Sequence, residues 1–159
     1  MSIANRVKEF LDEHDVDYEH HQHDAAYTAQ EVAAAEHVPG REFAKSVVLT
    51  DGDEFYLAVL PAPRKVNLEK IRSAAGNPEL RLAEEEEFED LFPGCETGAM
   101  APFGNLYDVP VFVDQSLRQD ERITFNAGTH EDTIRMAYPD FERLAEPVQA
   151  DFSEPIAAE

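Results

Sequence analysis

Cysteine occurs once, at Cys95, and lysine only four times, at positions 8, 45, 65 and 70. A single cysteine excludes an intramolecular disulfide framework and fits a reducing compartment. No apolar run approaches the ~20 residues that a membrane-spanning helix needs. The first residues, Met1 to Arg6, lead into an amphipathic segment rather than the apolar stretch of a signal peptide. A cytoplasmic protein with no membrane partner is therefore expected. Basic residues are scarce altogether, 13 Lys plus Arg against 34 Asp plus Glu, for a formal net charge of −21. Non-specific binding to nucleic acid or anionic lipid runs on Lys and Arg neutralising phosphates. A duplex-DNA partner is argued against.

What is present is enough for one core. The 159 residues are 43% hydrophobic, which suits a single folded domain rather than a disordered chain. The acid excess with little lysine suits a chain kept soluble where salt is plentiful. At 1 M salt the Debye length is only ~3 Å and carboxylate self-repulsion largely disappears. An ordinary acidic cytosolic protein is the alternative.

No internal repeat is found. Ile3, Val7, Phe10 and Leu11 fall at helical spacing behind Ser2 as N-cap, which predicts a helix over 3–14. Val16–Glu19 reads as a short strand. Thr28 and Glu31 have capping-box spacing for a helix to about His37, stopped by Pro39-Gly40. Phe43–Thr50 and Glu54–Leu60 read as strands joined at Asp51-Gly52-Asp53, a hairpin signal. Asn67 caps a helix over 68–75 closed by Gly76, Leu80–Leu82 is a short strand, and Glu84–Phe92 a helix with its acidic run in the first turn. A turn-rich stretch from Gly94 to Asp108 precedes strands over 109–114, 122–126 and 133–137 and a helix over 139–144. The fold class expected is mixed α/β (α+β), one domain over 1–146, with an acidic frayed tail over 147–159.

Lys45 stands out because it lies in the apolar run Phe43–Leu49. A strand ammonium there is costly unless it finds an anion or opens onto a cleft; otherwise it is an edge lysine that discourages aggregation. The run from Thr97 to Asn105, with glycines around Pro102, can turn several N–H groups toward one point and hold an oxyanion or phosphate, or simply connect two elements. It lacks the Walker pattern. His20, His21 and His23 with distant His130 invite a zinc reading. In an extended segment, however, only His21 and His23 share a face, and no Cys pairs or HExxH accompany them, so a solvated strand end is the simpler account. His130 follows Asn126-Ala127-Gly128-Thr129 in a turn. Cys95 has no evident base.

Thr28–Ala33, Phe43–Val48, Leu57–Ala62, Gly98–Gly104 and Val111–Leu117 follow one another in an order and spacing that resembles the YbaK / prolyl-tRNA-synthetase-associated domain family of aminoacyl-tRNA editing deacylases. The likeness covers residues 5–145. It implies a mixed, partly barrel-like β-sheet flanked by helices and metal-independent hydrolysis of the ester joining a wrong amino acid to the 3′-terminal adenosine of tRNA, with no cofactor. The partners implied are the aminoacyl-tRNA and an aminoacyl-tRNA synthetase, and the amino acid a small or proline-like one.

By the same resemblance the family's strand lysine maps onto Lys45 and its Gly-x-x-x-Pro loop onto Gly98 to Pro102. The catalytic set is then Lys45, Gly98 and Ala99. Thr28, Met100, Pro102, Phe103, Gly104, Asn126 and His130 join Lys45 in binding substrate. Ala99 and Ala101 stand where close relatives often carry Gly or Ser. A non-catalytic module binding an aminoacyl-adenosine or nucleotide, and a metal hydrolase using His21, His23 and His130, are the competing readings.

Overall fold

The computed structural model describes residues 3–22, 42–88, 100–104, 108–119, 121–129 and 131–156. Helix α1 (Ile3–Glu13) buries Val7 and Leu11. Asp15, at φ +55°, turns the chain so that Val16 donates to the Leu11 carbonyl and packs into the core. The first strand therefore starts later than its apolar residue suggests, as β1 (Tyr18–Gln22).

Strands β2 (Ala44–Thr50) and β3 (Phe55–Pro61) form the expected antiparallel hairpin, with Thr50 opposite Phe55. Gly52, at φ +101°, makes the turn, and Asp51 Oδ1 accepts the Asp53 and Glu54 N–H groups at 2.8 and 2.7 Å. A short β4 (Arg64–Val66) leads to α2 (Leu68–Ala75). Its two caps are the expected ones: Asn67 accepts from Lys70 N–H, and Gly76 is left-handed. Then come β5 (Arg81–Leu82), α3 (Glu85–Phe88) and β6 (Val111–Asp114). A 3₁₀ turn over Gln115–Gln119 leads to β7 (Arg122–Asn126) and β8 (Asp132–Ala137). The chain continues as α4 (Tyr138–Ala145), β9 (Val148–Ala150) and β10 (Ser153–Pro155). The expected helix at Thr28–His37 lies outside the described residues.

Among the described residues three sheets form. Their orders are β5-β2-β3-β6-β9, β1-β8-β7 and β10-β4. The largest is mixed, since β3–β6 and β6–β9 are parallel while β2–β3 and β2–β5 are antiparallel. A parallel bridge from Phe43 to Thr124 joins the start of β2 to β7, so the two larger sheets meet there without closing a barrel. The mixed α/β expectation is borne out.

Period-2 alternation sorts each strand between two faces. Ala44, Val48, Leu57, Val59, Val111, Val113, Ile123, Phe125, Ile134 and Met136 line the main core with α1 and α4. Leu49, Ala58, Leu60 and Phe112 face the other way and pack with Ile71 of α2 and with Phe152.

The tail departs from expectation. Residues 148–155 are not frayed: β9 extends the large sheet beside β6, β10 pairs with β4, and Phe152 is fully buried. Buried Asp114 explains the difference. Its Oδ1 accepts the Phe152 and Ser153 N–H groups, each at 3.0 Å, and its Oδ2 takes the Ser116 hydroxyl and N–H. Burial would raise this carboxyl, but these donors outweigh it and hold it below the ordinary carboxylate range.

Candidate active site

The junction of β2 and β7 gathers the polar groups that a site needs. The Phe43–Thr124 bridge is parallel, so the residues two further along each strand, Lys45 and Asn126, lie on the same side of adjoining strands. Cross-strand pairing adds Thr133 opposite Asn126 and Arg135 opposite Thr124. This face of β7 and β8 is the one turned away from Phe125 and Ile134. It is polar, yet Thr124, Asn126 and Thr133 are all buried. Burying such groups is costly unless each finds a partner.

Lys45 is half-buried, and its ammonium donates to the Ala62 carbonyl at 3.2 Å. Desolvation by burial lowers its pKa from the ordinary lysine value. No carboxylate forms an ion pair with Lys45 among the described residues, whereas Lys65 and Lys70 meet Glu154 and Asp151. Ala62 is itself fixed, donating its N–H to the Phe43 carbonyl at 2.8 Å. The lysine is therefore held by backbone at the sheet junction and keeps charge to offer a ligand. Beside it, among the described residues, Thr124 Oγ1, Asn126 Oδ1 and the Arg135 Nε opposite Thr124 are buried without a hydrogen-bond partner, as is Ser46 Oγ on the opposite face of β2. Sequence reasoning missed Thr124 and Ser46. Their hydroxyls read as ordinary strand residues, and only the bridge and the burial reveal them.

The loop at 100–104 is anchored rather than open. Met100, Ala101 and Phe103 are buried in the main core. Phe103 was expected at the substrate, but its ring packs against Phe10, Phe125 and Phe141 at centroid distances of 5.3, 5.5 and 5.7 Å. Pro102 is also buried. Gly104 is required by close approach: a Cβ there would overlap the Val109 carbonyl oxygen and stand 2.6 Å from Val111 Cγ2. Gly104 in turn accepts the Val109 N–H at 2.9 Å, which closes the loop onto β6. Thr28, Gly98, Ala99 and His130 lie outside the described residues.

The histidines take other partners. His20 Nε2 lies 2.9 Å from Asp132 Oδ1, and His21 Nε2 lies 3.2 Å from Glu19 Oε1. Asp132 also accepts from Thr129 and Gln22, and although burial would raise its carboxyl, these bonds hold it below the usual range. His20 thus helps tie β1 to the β7–β8 turn. Among the described residues no group of three His, Cys, Asp or Glu side chains is placed to hold a metal ion; His23 lies outside them.

A half-buried lysine beside buried polar groups at a sheet junction is an arrangement suited to binding a small anionic or polar group. A family model described as "Aminoacyl-tRNA editing domain" matches residues 23–144. The chain belongs to that family, as the resemblance implied, and is an aminoacyl-tRNA editing domain. It is 26% identical to the prolyl-tRNA editing protein ProX of Acetoanaerobium sticklandii, over 91% of each chain. To the multifunctional Ser/Thr-tRNA deacylase ProXp-y of Escherichia coli it is 31% identical, over 63% of this chain and 60% of that protein. A 36% identical stretch matches the proline–tRNA ligase of Thermosipho africanus over 48% of this chain but only 14% of the ligase. In fold it resembles the crystal structure of a candidate trans-editing enzyme for prolyl tRNA synthetase, with a TM-score of 0.83 and 24% identity over 97% of this chain and 98% of that one.

Proposed function

We propose that the protein acts in trans as a deacylase. It would hydrolyse the ester between a wrongly attached small or proline-like amino acid and the 3′-terminal adenosine of tRNA, in the cytoplasm where tRNA is charged. The observation that carries this reading is Lys45, a half-buried ammonium with no ion-pair carboxylate among the described residues, beside buried Asn126. Such a cation suits a phosphate or ribose oxygen of the terminal nucleotide. A bound anion would also return the lysine's pKa toward its ordinary value.

In the reaction, water adds to the ester carbonyl and the 3′ oxygen leaves with a proton, releasing free amino acid and intact tRNA. Charge develops on the carbonyl oxygen, and N–H groups of the loop from Gly98 to Gly104 are the donors offered for it. Burial of Phe103 and the Val109–Gly104 hydrogen bond anchor the described end of that loop, residues 100–104. Holding ester and water in register can supply much of the barrier reduction without a strong side-chain base. The proposal carries over roles for Gly98, Ala99, Thr28 and His130 from the family's motif.

The test is a panel of tRNAs mischarged with alanine, serine, threonine and proline, followed with and without chelator. At least one ester should be cleaved at the same rate in both conditions. Lys45→Ala should abolish that cleavage while thermal unfolding stays unchanged. Unaltered turnover by Lys45→Ala sinks the role of the lysine. Binding of aminoacyl-adenosine with no cleavage of any panel member would make the protein a non-catalytic module, and loss of activity to chelator would restore the metal reading.

A further inference from the structure

The turn between β7 and β8 is fixed more firmly than a chain reversal requires, and the group that fixes it is Asp132. Asn126 ends β7 on the Lys45 side of the sheet. Immediately after it the chain reverses, with Gly128 at φ +96° and the Ala127 N–H donating to the Asp132 carbonyl at 2.9 Å. Thr129 Oγ1 accepts the Glu131 and Asp132 N–H groups at 3.1 and 3.0 Å and donates to Asp132 Oδ2 at 2.7 Å. Oδ1 of the same carboxylate lies 2.9 Å from His20 Nε2 and accepts from Gln22 Nε2 at 3.1 Å, both on β1.

The Asp132 side chain is only 13% exposed. Taking a carboxylate out of water costs free energy unless donors surround it, and here donors from the turn and from a third strand do so. The end of a strand pair is otherwise where local opening starts, whereas a polar network with its partners in place holds one geometry. Asp132 shares the face of Ile134 and His20, opposite to that of Thr133 and Asn126. It therefore acts on Asn126 through the backbone of the turn.

Resting on the deacylase reading above, we propose that Asp132 is a positioning residue for the site. Through Thr129 and the turn backbone it sets where Asn126 stands beside Lys45, and His20 and Gln22 of β1 hold it in place. β1 thereby serves the site without supplying a group to it. Reacting groups must be held to a fraction of an ångström, and a displacement of about 1 Å can cost ~100-fold in rate. Loosening the turn would spare the apolar core, to which Thr129 and Asp132 do not belong.

The experiment separates positioning from stability. Thr129→Val keeps the branched shape and removes the hydroxyl; well below the unfolding temperature it should lower kcat on a cleaved mischarged tRNA by ~10- to 100-fold. Thr129→Ser, which keeps the hydroxyl, should restore it. Asp114→Asn weakens the other buried carboxylate, the one that ties down the carboxy-terminal strands, and should lower the unfolding temperature with kcat unchanged. If Thr129→Val does not fold, His20→Leu combined with Gln22→Leu removes both β1 donors and should lower kcat more than either change alone. A second readout needs no turnover: alanyl-adenosine linked at the 3′ position by a non-hydrolysable amide is titrated calorimetrically, and Thr129→Val should weaken its binding about tenfold. Unchanged kcat and affinity in Thr129→Val overturn the proposal and leave the deacylase reading intact. A loss that Thr129→Ser shares, or that Asp114→Asn reproduces, also overturns it, since shape or stability then accounts for the effect. Binding that Thr129→Val weakens, with no ester cleaved by the wild type, supports the positioning and overturns the deacylase reading. A wild type that neither binds nor cleaves overturns both.

Discussion

At Gly104 a single hydrogen separates a closed loop from an overlap. The missing Cβ would meet the Val109 carbonyl oxygen and Val111 Cγ2, and both are fixed because Val111 begins β6 and Val109 N–H is bound to Gly104 itself. Gly104→Ala should therefore cost about 2–4 kcal/mol, read as a lower denaturant midpoint at unchanged slope; a loss under ~0.5 kcal/mol would show that the loop can shift freely. Lys45 gives a prediction of charge instead. Its pKa is lowered by burial, and only the protonated form binds an anion, so activity should be constant at low pH and fall on the alkaline side below the usual lysine range. Lys45→Arg should move that fall to higher pH if it retains activity, since a guanidinium stays charged; an unmoved alkaline limb would assign the titration elsewhere. Lys45 was legible in the sequence because a cation in an apolar strand run is rare enough to notice. Phe103 was legible as important, but not its packing: a loop aromatic beside glycines gives no sign of Phe10, Phe125 and Phe141 around it. Thr124 was not legible at all, since its significance comes from a bridge between residues 43 and 124.

Strands β9 and β10 depend on one carboxylate at the end of β6. Asp114 binds the two backbone N–H groups that turn the chain at Phe152 and Ser153, and Phe152 in turn fills the space over Leu60, Phe112 and Ile71. Asp114→Ala should cost about 3–5 kcal/mol, because two buried N–H groups lose a charged partner. Asp114→Asn, which keeps one acceptor oxygen, should cost less. The sign with pH follows from the lowered pKa. The stabilisation from Asp114 is complete above its unfolded value near 3.9 and is lost as pH falls through the lower folded value. Acid unfolding should therefore be shallower in Asp114→Asn than in the wild type; parallel acid limbs would exclude Asp114 as their source. Local signals made most elements readable: the Asp51-Gly52-Asp53 turn, the Asn67 and Gly76 caps, and the alternation in β7 and β8 are all decided within a few residues. The carboxy-terminal strands were not readable, because prolines at 147 and 155 and a polar composition suggest fraying. Their order comes from Asp114, more than thirty positions earlier. β1 was misplaced for a similar reason, with Val16 spent on the core rather than on the strand.

At the scale of the whole chain, a net charge of −21 must be reconciled with a nucleic-acid substrate. Backbone recognition of tRNA works by releasing counterions from phosphates, and it weakens steeply as salt rises. Among the described residues, several cations already face carboxylates. Arg81, Arg122, Arg135 and Arg143 are paired with Glu87, Glu19, Glu42 and Asp140, and Lys65 and Lys70 with Glu154 and Asp151. Lys45 is a cation with no such ion pair among the described residues, and it stands at the candidate site. Recognition confined to the terminal adenosine and its ester neutralises one or two phosphates, so counterion release by itself would contribute a log–log slope of only 0 to about −2 to kcat/KM, where a binder of many phosphates gives a slope several times steeper. Repulsion between the enzyme and the rest of the tRNA acts in the opposite sense, since added salt screens it. The net dependence should be flat or rising from 0.05 to 0.5 M salt, while the denaturation midpoint rises over the same range as carboxylate repulsion within the protein is screened. A steep fall in kcat/KM with an unmoved midpoint would require a basic tRNA-binding surface and would overturn confinement of recognition to the 3′ end. A rise in both would tie activity and stability to the same acidic surface.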